Sequence, residues 1–273
     1  MIRKNLILSD IDGTFLGKRS RQVERNRIAI ERFKQNGGLF TFSSGRSEIT
    51  MKDIIPDAEH IVNAPAILTN GSYIYDYVTR QKHYYTPVNA EKAIPLLEAM
   101  LKTCPGTSIR INHYDTFMSN ELSEAFARET KGMVDRREIY PFDRMPRDGW
   151  NKAVVHGTAA ALESAKTFLS AHAGSEFAIT LSGPNLLEIV DSGATKGTMI
   201  ARLREYYEEK GIEVKVYAVG DYENDLEMLQ MADVAVCPSN AIEKVKAVCE
   251  TVLCDHDEGA IADLIEKIET KIL

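Results

Sequence analysis

Three short apolar runs, each ending in a polar cluster that contains a glycine, constrain this chain most. Leu6-Ile7-Leu8 runs into Ser9-Asp10-Ile11-Asp12-Gly13-Thr14, and Leu39-Phe40-Thr41-Phe42 into Ser43-Ser44-Gly45-Arg46. Val216-Tyr217-Ala218-Val219 runs into Gly220-Asp221-Tyr222-Glu223-Asn224-Asp225. Runs of this length, bounded by turn residues and alternating with helical stretches, read as buried strands of a parallel sheet. Ligands of open parallel sheets lie in the crevice at the carboxyl ends of the strands, so the three clusters are expected to converge.

The connecting segments fit this pattern. Gln22 to Asn36 reads as a helix with Val23, Ile28, Ile30 and Phe33 on its apolar face and Gly37-Gly38 as its stop. A short helix is expected around Ser47 to Ile54 and a third strand at Ala66-Ile67-Leu68. After about residue 72 the style changes. Tyr73–Asp76 and His83–Tyr85 suit a hairpin, and Asn89 to Lys102 a helix that Pro95 disturbs unless it falls in the first turns. Further strands are expected at Ser108–Ile111, Lys152–His156 and Phe177–Leu181, with helices at Glu121–Glu129 and Ala159–Ala171. A helix around Lys196–Lys210 and a terminal helix at Ala260–Ile272 restore the first style. The architecture expected is α/β: a Rossmann-like parallel-sheet core over residues 1–82 and 187–273, interrupted by an inserted α+β domain over 83–186.

A chain of 273 residues holds one large domain or two modest ones. Its net charge of −7 argues against general nucleic-acid binding, which calls for clustered Lys and Arg, but leaves room for a phosphorylated small molecule. No apolar stretch is long enough to span a bilayer, and the start reads as the first strand rather than a secretory segment. Cys104, Cys237, Cys249 and Cys254 lack metal-site or CxxC spacing and read as reduced thiols of a cytoplasmic protein. No membrane contact and no obligate protein partner is inferred.

Asp10 and Asp12 fall two residues apart at a strand end, on one face. Carboxylates pressed together repel unless a cation or a proton sits between them. Thr195-Lys196-Gly197, at the start of a helix, brings an ammonium to the same end of the sheet. Carboxylates, a hydroxyl, an amide and an ammonium together suit a divalent cation and a phosphoryl group. The downstream ligand spacing of a calcium-binding EF-hand is absent. In the middle segment Tyr114, Arg136, Arg137 and Trp150 stand out, with Trp150 expected to be packing.

In their order, Asp10-Ile11-Asp12-Gly13-Thr14, Ser44-Gly45-Arg46, Lys196-Gly197 and Gly220-Asp221-Tyr222-Glu223-Asn224-Asp225 resemble the motifs of the haloacid-dehalogenase-like superfamily. The Gly-Asp-x-x-Asn-Asp form and the long insert resemble its Cof-type phosphatases with a type-IIB cap. Ser44 stands where that subgroup more often has Thr, and Phe15 where Leu is common. The resemblance implies a Mg²⁺-dependent phosphomonoesterase acting on a small phosphate ester, sugar phosphates first, through an aspartyl-phosphate. It implies Asp10 as nucleophile and Asp12 as general acid and base, with Asp10, the backbone carbonyl of Asp12, Asp221 and Asp225 around the metal. Ser44, Gly45, Lys196 and Asn224 would contact phosphate. Arg46 receives no fixed role. The inserted domain would set substrate specificity. A phosphosugar mutase or phosphotransferase is the alternative, and a non-catalytic phosphometabolite sensor a third.

Overall fold

The computed structural model describes residues 2–17 and 24–273. They divide into two compact units: residues up to Tyr85 together with Thr195–Leu273, and Thr86–Ala194 between them.

The first unit is built on a five-stranded sheet in the order Thr251–Leu253, Val234–Pro238, Ile212–Val219, Ile2–Ser9, Leu39–Phe42, parallel throughout. Leu6, Ile7 and Leu8 are fully buried, which a strand covered on both faces requires. The helix Ala260–Glu269 presents Ile261, Leu264, Ile265 and Ile268, one stripe at helical spacing, to a core shared with Phe15, Phe40 and Phe42. Phe15 meets Phe42 edge-on, with ring centres 5.0 Å apart. The helix Glu24–Gln35 buries Asn26, Ala29, Ile30 and Phe33. Gln22 and Val23 lie outside the described residues. Ile28, expected on the apolar face, is 60% exposed, because the i, i+3, i+4, i+7 stripe starts at Asn26 instead.

Ala66–Leu68 continues beyond Leu39–Phe42 through a parallel bridge between Ser43 and Ile67, then forms an antiparallel sheet with Tyr73–Asp76 and Gln81–His83. The hairpin is therefore present, its second strand shifted two residues towards the N-terminus.

The inserted unit holds a six-stranded sheet in the order Phe177–Gly183, Leu186–Asp191, Trp150–His156, Ser108–His113, Thr116–Ser119, Arg137–Ile139, antiparallel except for the last pair. Its core includes residues of the helices Ala90–Thr103 and Ala159–His172. Pro95 lies in the second turn of the former and the helix runs on past it. Trp150 is fully buried and its Nε1 donates to the carbonyl of Pro146 at 2.8 Å, a packing role. Arg137 is tied to Thr130 and the carbonyl of Ala127.

Both expected unit boundaries move. Strand Leu186–Asp191 pairs antiparallel with strands on both sides of it in the inserted sheet, so the return to the first unit comes at Thr195 rather than 187. The hairpin strand Gln81–His83 keeps residues up to Tyr85 with the first unit, where 82 had been expected.

Candidate active site

Asp10 follows directly on strand Ile2–Ser9, its N–H donating to the carbonyl of Val219 at 2.8 Å. That bond ties the ends of two neighbouring strands and sets Asp10 beside the turn that carries Asp221. Asp10, Asp221 and Asp225 each offer an oxygen within 4.8 Å of the others. Lys196 is buried between them, its Nζ 2.6 Å from Asp10 Oδ1 and 2.6 Å from Asp225 Oδ1. Three carboxylates thus face one ammonium, and the excess negative charge fits a metal cation.

The turn after Ile212–Val219 is held by Asp225, whose Oδ2 accepts the N–H groups of Asp221 at 3.0 Å and Tyr222 at 3.2 Å. With Oδ1 on Lys196, both of its oxygens are engaged. Gly220 makes this possible, since a Cβ there would lie 2.4 Å from the Cβ of Asp225. Gly13, at φ +87°, leaves room for Asp221, whose Oδ2 would lie 2.5 Å from an added Cβ. The hydroxyl of Thr14 donates to Asp221 Oδ1 at 3.0 Å.

Burial pushes the Asp10 carboxyl well above the usual carboxylate range; Lys196 opposes this, and Asp225 and Asp221 add to it. Burial likewise pushes Asp221 up to about 7, with Asp225 adding and the Thr14 hydrogen bond opposing. Burial works against the Lys196 ammonium, but Asp10 and Asp225 outweigh it and hold its proton on more firmly than usual.

Asp12 is not part of the carboxylate group. Its side chain is 58% exposed and engaged by Arg46, whose Nε and Nη2 each donate to one of its oxygens at 2.8 Å. Ser44 is buried at the end of Leu39–Phe42; its N–H donates to Ile67 and its hydroxyl accepts the N–H of Arg46 at 3.2 Å. Gly45 lies between them. Asn224 is half-buried in the 3₁₀ turn Glu223–Asp225. Beyond Asn70, which follows Thr69 in a left-handed turn, the N–H of Asn70 donates to the carbonyl of Ser44 at 2.9 Å and that of Thr69 to Arg46 at 3.0 Å.

Three contributors were missed from sequence. Thr14 stood inside a recognised motif, which was the available signal. Asn240, whose Nδ2 donates to the carbonyl of Gly13 at 2.8 Å, carried none. Thr69, a β-branched residue at φ 50°, stands directly before Asn70-Gly71, the turn pair that closes the third strand, and that pair was its signal.

The sequence model of the haloacid dehalogenase-like hydrolase family matches residues 7–265. The Bacillus subtilis 5-amino-6-(5-phospho-D-ribitylamino)uracil phosphatase YwtE is 26% identical over 286 residues, spanning 96% of this chain and 97% of its own. The Escherichia coli pyridoxal phosphate phosphatase YbhA is 24% identical, spanning 95% and 97%. Among solved structures, the HAD subclass IIB sugar phosphatase BT4131 superposes with a TM-score of 0.80 at 20% identity, covering 97% of this chain and 99% of that one. That likeness is one of fold, including the inserted antiparallel sheet.

Proposed function

The chain belongs to the haloacid dehalogenase-like hydrolase family and is a phosphatase of its Cof type, and we propose that it hydrolyses sugar phosphates with Mg²⁺ through an aspartyl-phosphate on Asp10. One observation carries the reading: a buried strand-end carboxylate, Asp10, shares an ammonium with Asp225 inside a group of three carboxylates. The phosphoribityl substrate in the name of the YwtE relative supports a sugar-like leaving group.

In this reading Asp10 Oδ2 attacks phosphorus while Lys196 stays on Oδ1. The bond to the leaving oxygen breaks, and Asp12, protonated on an oxygen that Arg46 has released, supplies the leaving oxygen's proton. Asp12 then takes a proton from water as the water attacks the phosphorus of the aspartyl-phosphate, releasing phosphate and restoring Asp10. Lys196, the Ser44 hydroxyl, the Gly45 N–H and Asn224 contact the phosphoryl oxygens and stabilise the charge that spreads over them in the transition state. Asp10, Asp221 and the carbonyl of Asp12 would hold Mg²⁺, which would supply the positive charge that lets an anionic ester approach a carboxylate. Asp225, with both oxygens taken, orients Lys196 and the Asp221 turn around the metal. The inserted unit selects the leaving group. Free thiols and the absence, among the described residues, of a helix able to cross a membrane accord with a cytoplasmic enzyme.

The test is phosphate release from a panel of sugar phosphates, pyridoxal phosphate, nucleotides and p-nitrophenyl phosphate, with Mg²⁺, with EDTA, and with Asp10→Asn. Turnover that requires Mg²⁺, disappears in the variant and is fastest on a sugar phosphate is expected. Turnover that persists in Asp10→Asn would remove Asp10 as nucleophile.

A further inference from the structure

We propose that Asn240 is a positioning residue for the metal site: it pins the loop after the first strand against Asp221 and so sets the affinity for Mg²⁺. The inference deepens the metal-dependent reading above and rests on it. That loop backs Asp221 from one side. A Cβ added at Gly13 would stand 2.5 Å from Asp221 Oδ2, and the Thr14 hydroxyl donates to Oδ1 at 3.0 Å. The glycine that permits this approach is also the loop's softest point, because without a Cβ its backbone turns at little cost. On one side of the Gly13–Thr14 peptide, the Thr14 N–H reaches the Ile11 carbonyl at 3.3 Å. On the other, the Gly13 carbonyl accepts from Asn240 Nδ2 at 2.8 Å, the shorter of the two bonds.

Asn240 is itself held in place. It follows strand Val234–Pro238 and is exposed, yet both ends of its amide are engaged. Nδ2 is on Gly13, and Oδ1 accepts the N–H of His256 at 3.2 Å. A carbonyl only accepts and a backbone N–H only donates, so these two partners fix which way the amide faces. His256 is buried, and its Nδ1 bonds the carbonyl of Leu16 at 2.9 Å, farther along the same loop. Two residues beyond Asn240, the N–H of Ile242 donates to the backbone carbonyl of Asp221 at 3.0 Å. One short segment thus grips both the loop behind Asp221 and the backbone of Asp221 itself. The contacts close a ring from Asn240 through Gly13, Thr14 and Asp221 to Ile242. An exposed side chain fills no core, so what the Asn240 amide supplies is alignment of the carboxylate. Groups that orient metal ligands from behind typically cost about 10–100-fold in metal affinity when lost.

Calorimetric titration of Mg²⁺ alone into the ester-free protein tests this. The proteins are wild type, Asn240→Asp, Asn240→Ala, Thr14→Val and the Asn240→Asp/Thr14→Val double variant. Asn240→Asp keeps the size of the side chain and the acceptor for His256, but sets a carboxylate oxygen against the Gly13 carbonyl. An added negative charge by itself attracts a cation, so charge and position predict opposite signs. The expected result is a Mg²⁺ dissociation constant about 10-fold larger in Asn240→Asp and in Asn240→Ala. The double variant binds within about twofold of the weaker single variant, because both residues act on Asp221 through one loop. With Mg²⁺ saturating, KM for the fastest ester of the panel stays within about twofold of wild type. Melting in EDTA shifts by about 4 °C or less.

Wild-type or tighter Mg²⁺ binding in either Asn240 variant would overturn the proposal. A raised KM at saturating Mg²⁺ with Mg²⁺ binding kept would place Asn240 on the ester and overturn it too, as would multiplicative losses in the double variant. Should Asn240→Asp not fold, Asn240→Ala, which opens no cavity at an exposed position, decides. Wild-type protein that takes up no Mg²⁺ would remove the metal-dependent reading itself, an outcome separate from those above.

Discussion

Gly220→Ala isolates the geometry of the site with one added methyl group. Its Cβ would stand 2.4 Å from the Cβ of Asp225, 2.5 Å from Cγ and 2.6 Å from Oδ2. Carbons in contact settle at about 3.5–4.0 Å, so the turn and Asp225 have to separate by about 1 Å. Asp225 cannot yield freely, because Oδ1 holds Lys196 and Oδ2 holds the N–H groups of Asp221 and Tyr222. Overpacking of this kind costs about 1–3 kcal/mol, which a folded protein survives. A displacement of about 1 Å among reacting groups costs about 100-fold in rate. Phosphate release at saturating ester and Mg²⁺ is thus expected to fall about 100-fold while thermal melting still shows a folded protein. Gly132→Ala, where an added Cβ meets nothing within 4 Å, is the control and keeps the wild-type rate. A Gly220→Ala rate within about threefold of wild type would refute the claim that Asp225 fixes the site to sub-ångström tolerance.

Thr14→Val removes the hydroxyl that donates to Asp221 Oδ1; the Mg²⁺ concentration for half-maximal activity should rise about 10–100-fold, read from a metal titration of rate. Asp221 has a carboxyl raised to about 7 in the folded, metal-free protein against an ordinary value of 3.8, so the folded state binds the proton more tightly. Stability from this group is therefore present at low pH and lost as pH rises from about 4 to about 7; melting in EDTA should fall across that window and flatten above it, and a rise instead would contradict the burial argument. In the inserted unit, Lys152→Met strips the buried Glu188 of an ammonium at 2.8 Å and should destabilise by about 3–5 kcal/mol in denaturant titration, whereas adding Glu188→Leu recovers most of the loss.

The strand ends were legible because short apolar runs break abruptly into Asp, Ser and Gly, and parallel sheets gather such ends on one edge. The same logic misplaced Leu186–Asp191. Ile189-Val190 breaking into Asp191-Ser192-Gly193 imitates the strand ends of the first unit, and a run that short does not reveal that its neighbours are antiparallel. Thr116–Ser119 and Arg137–Ile139 are too short and too polar to announce themselves against the surrounding loops. At the site, identities were legible but pairings were not. Nothing in composition tells that Arg46 turns to Asp12, or that Thr69 adopts a left-handed turn from which its N–H reaches the Arg46 carbonyl. Side-chain partners are chosen by the folded backbone, and a positive φ at threonine leaves no mark in residue type.

The strand that delivers Asp10 lies between Ile212–Val219 and Leu39–Phe42, one partner made early in synthesis and the other late. Lys196 is 186 positions beyond Asp10. At about 5–20 residues per second, a ribosome takes about 10–40 s to cover that interval. Throughout it the nascent chain carries an apolar strand with one open edge and a nucleophile with no ammonium, while every strand of the inserted sheet has been made before Lys196 appears. Vectorial production thus favours an order in which the insertion folds first and the catalytic sheet closes last. Chains that stop before Lys196 expose the Ile2–Ser9 edge to chaperones and proteases rather than yielding a crippled enzyme.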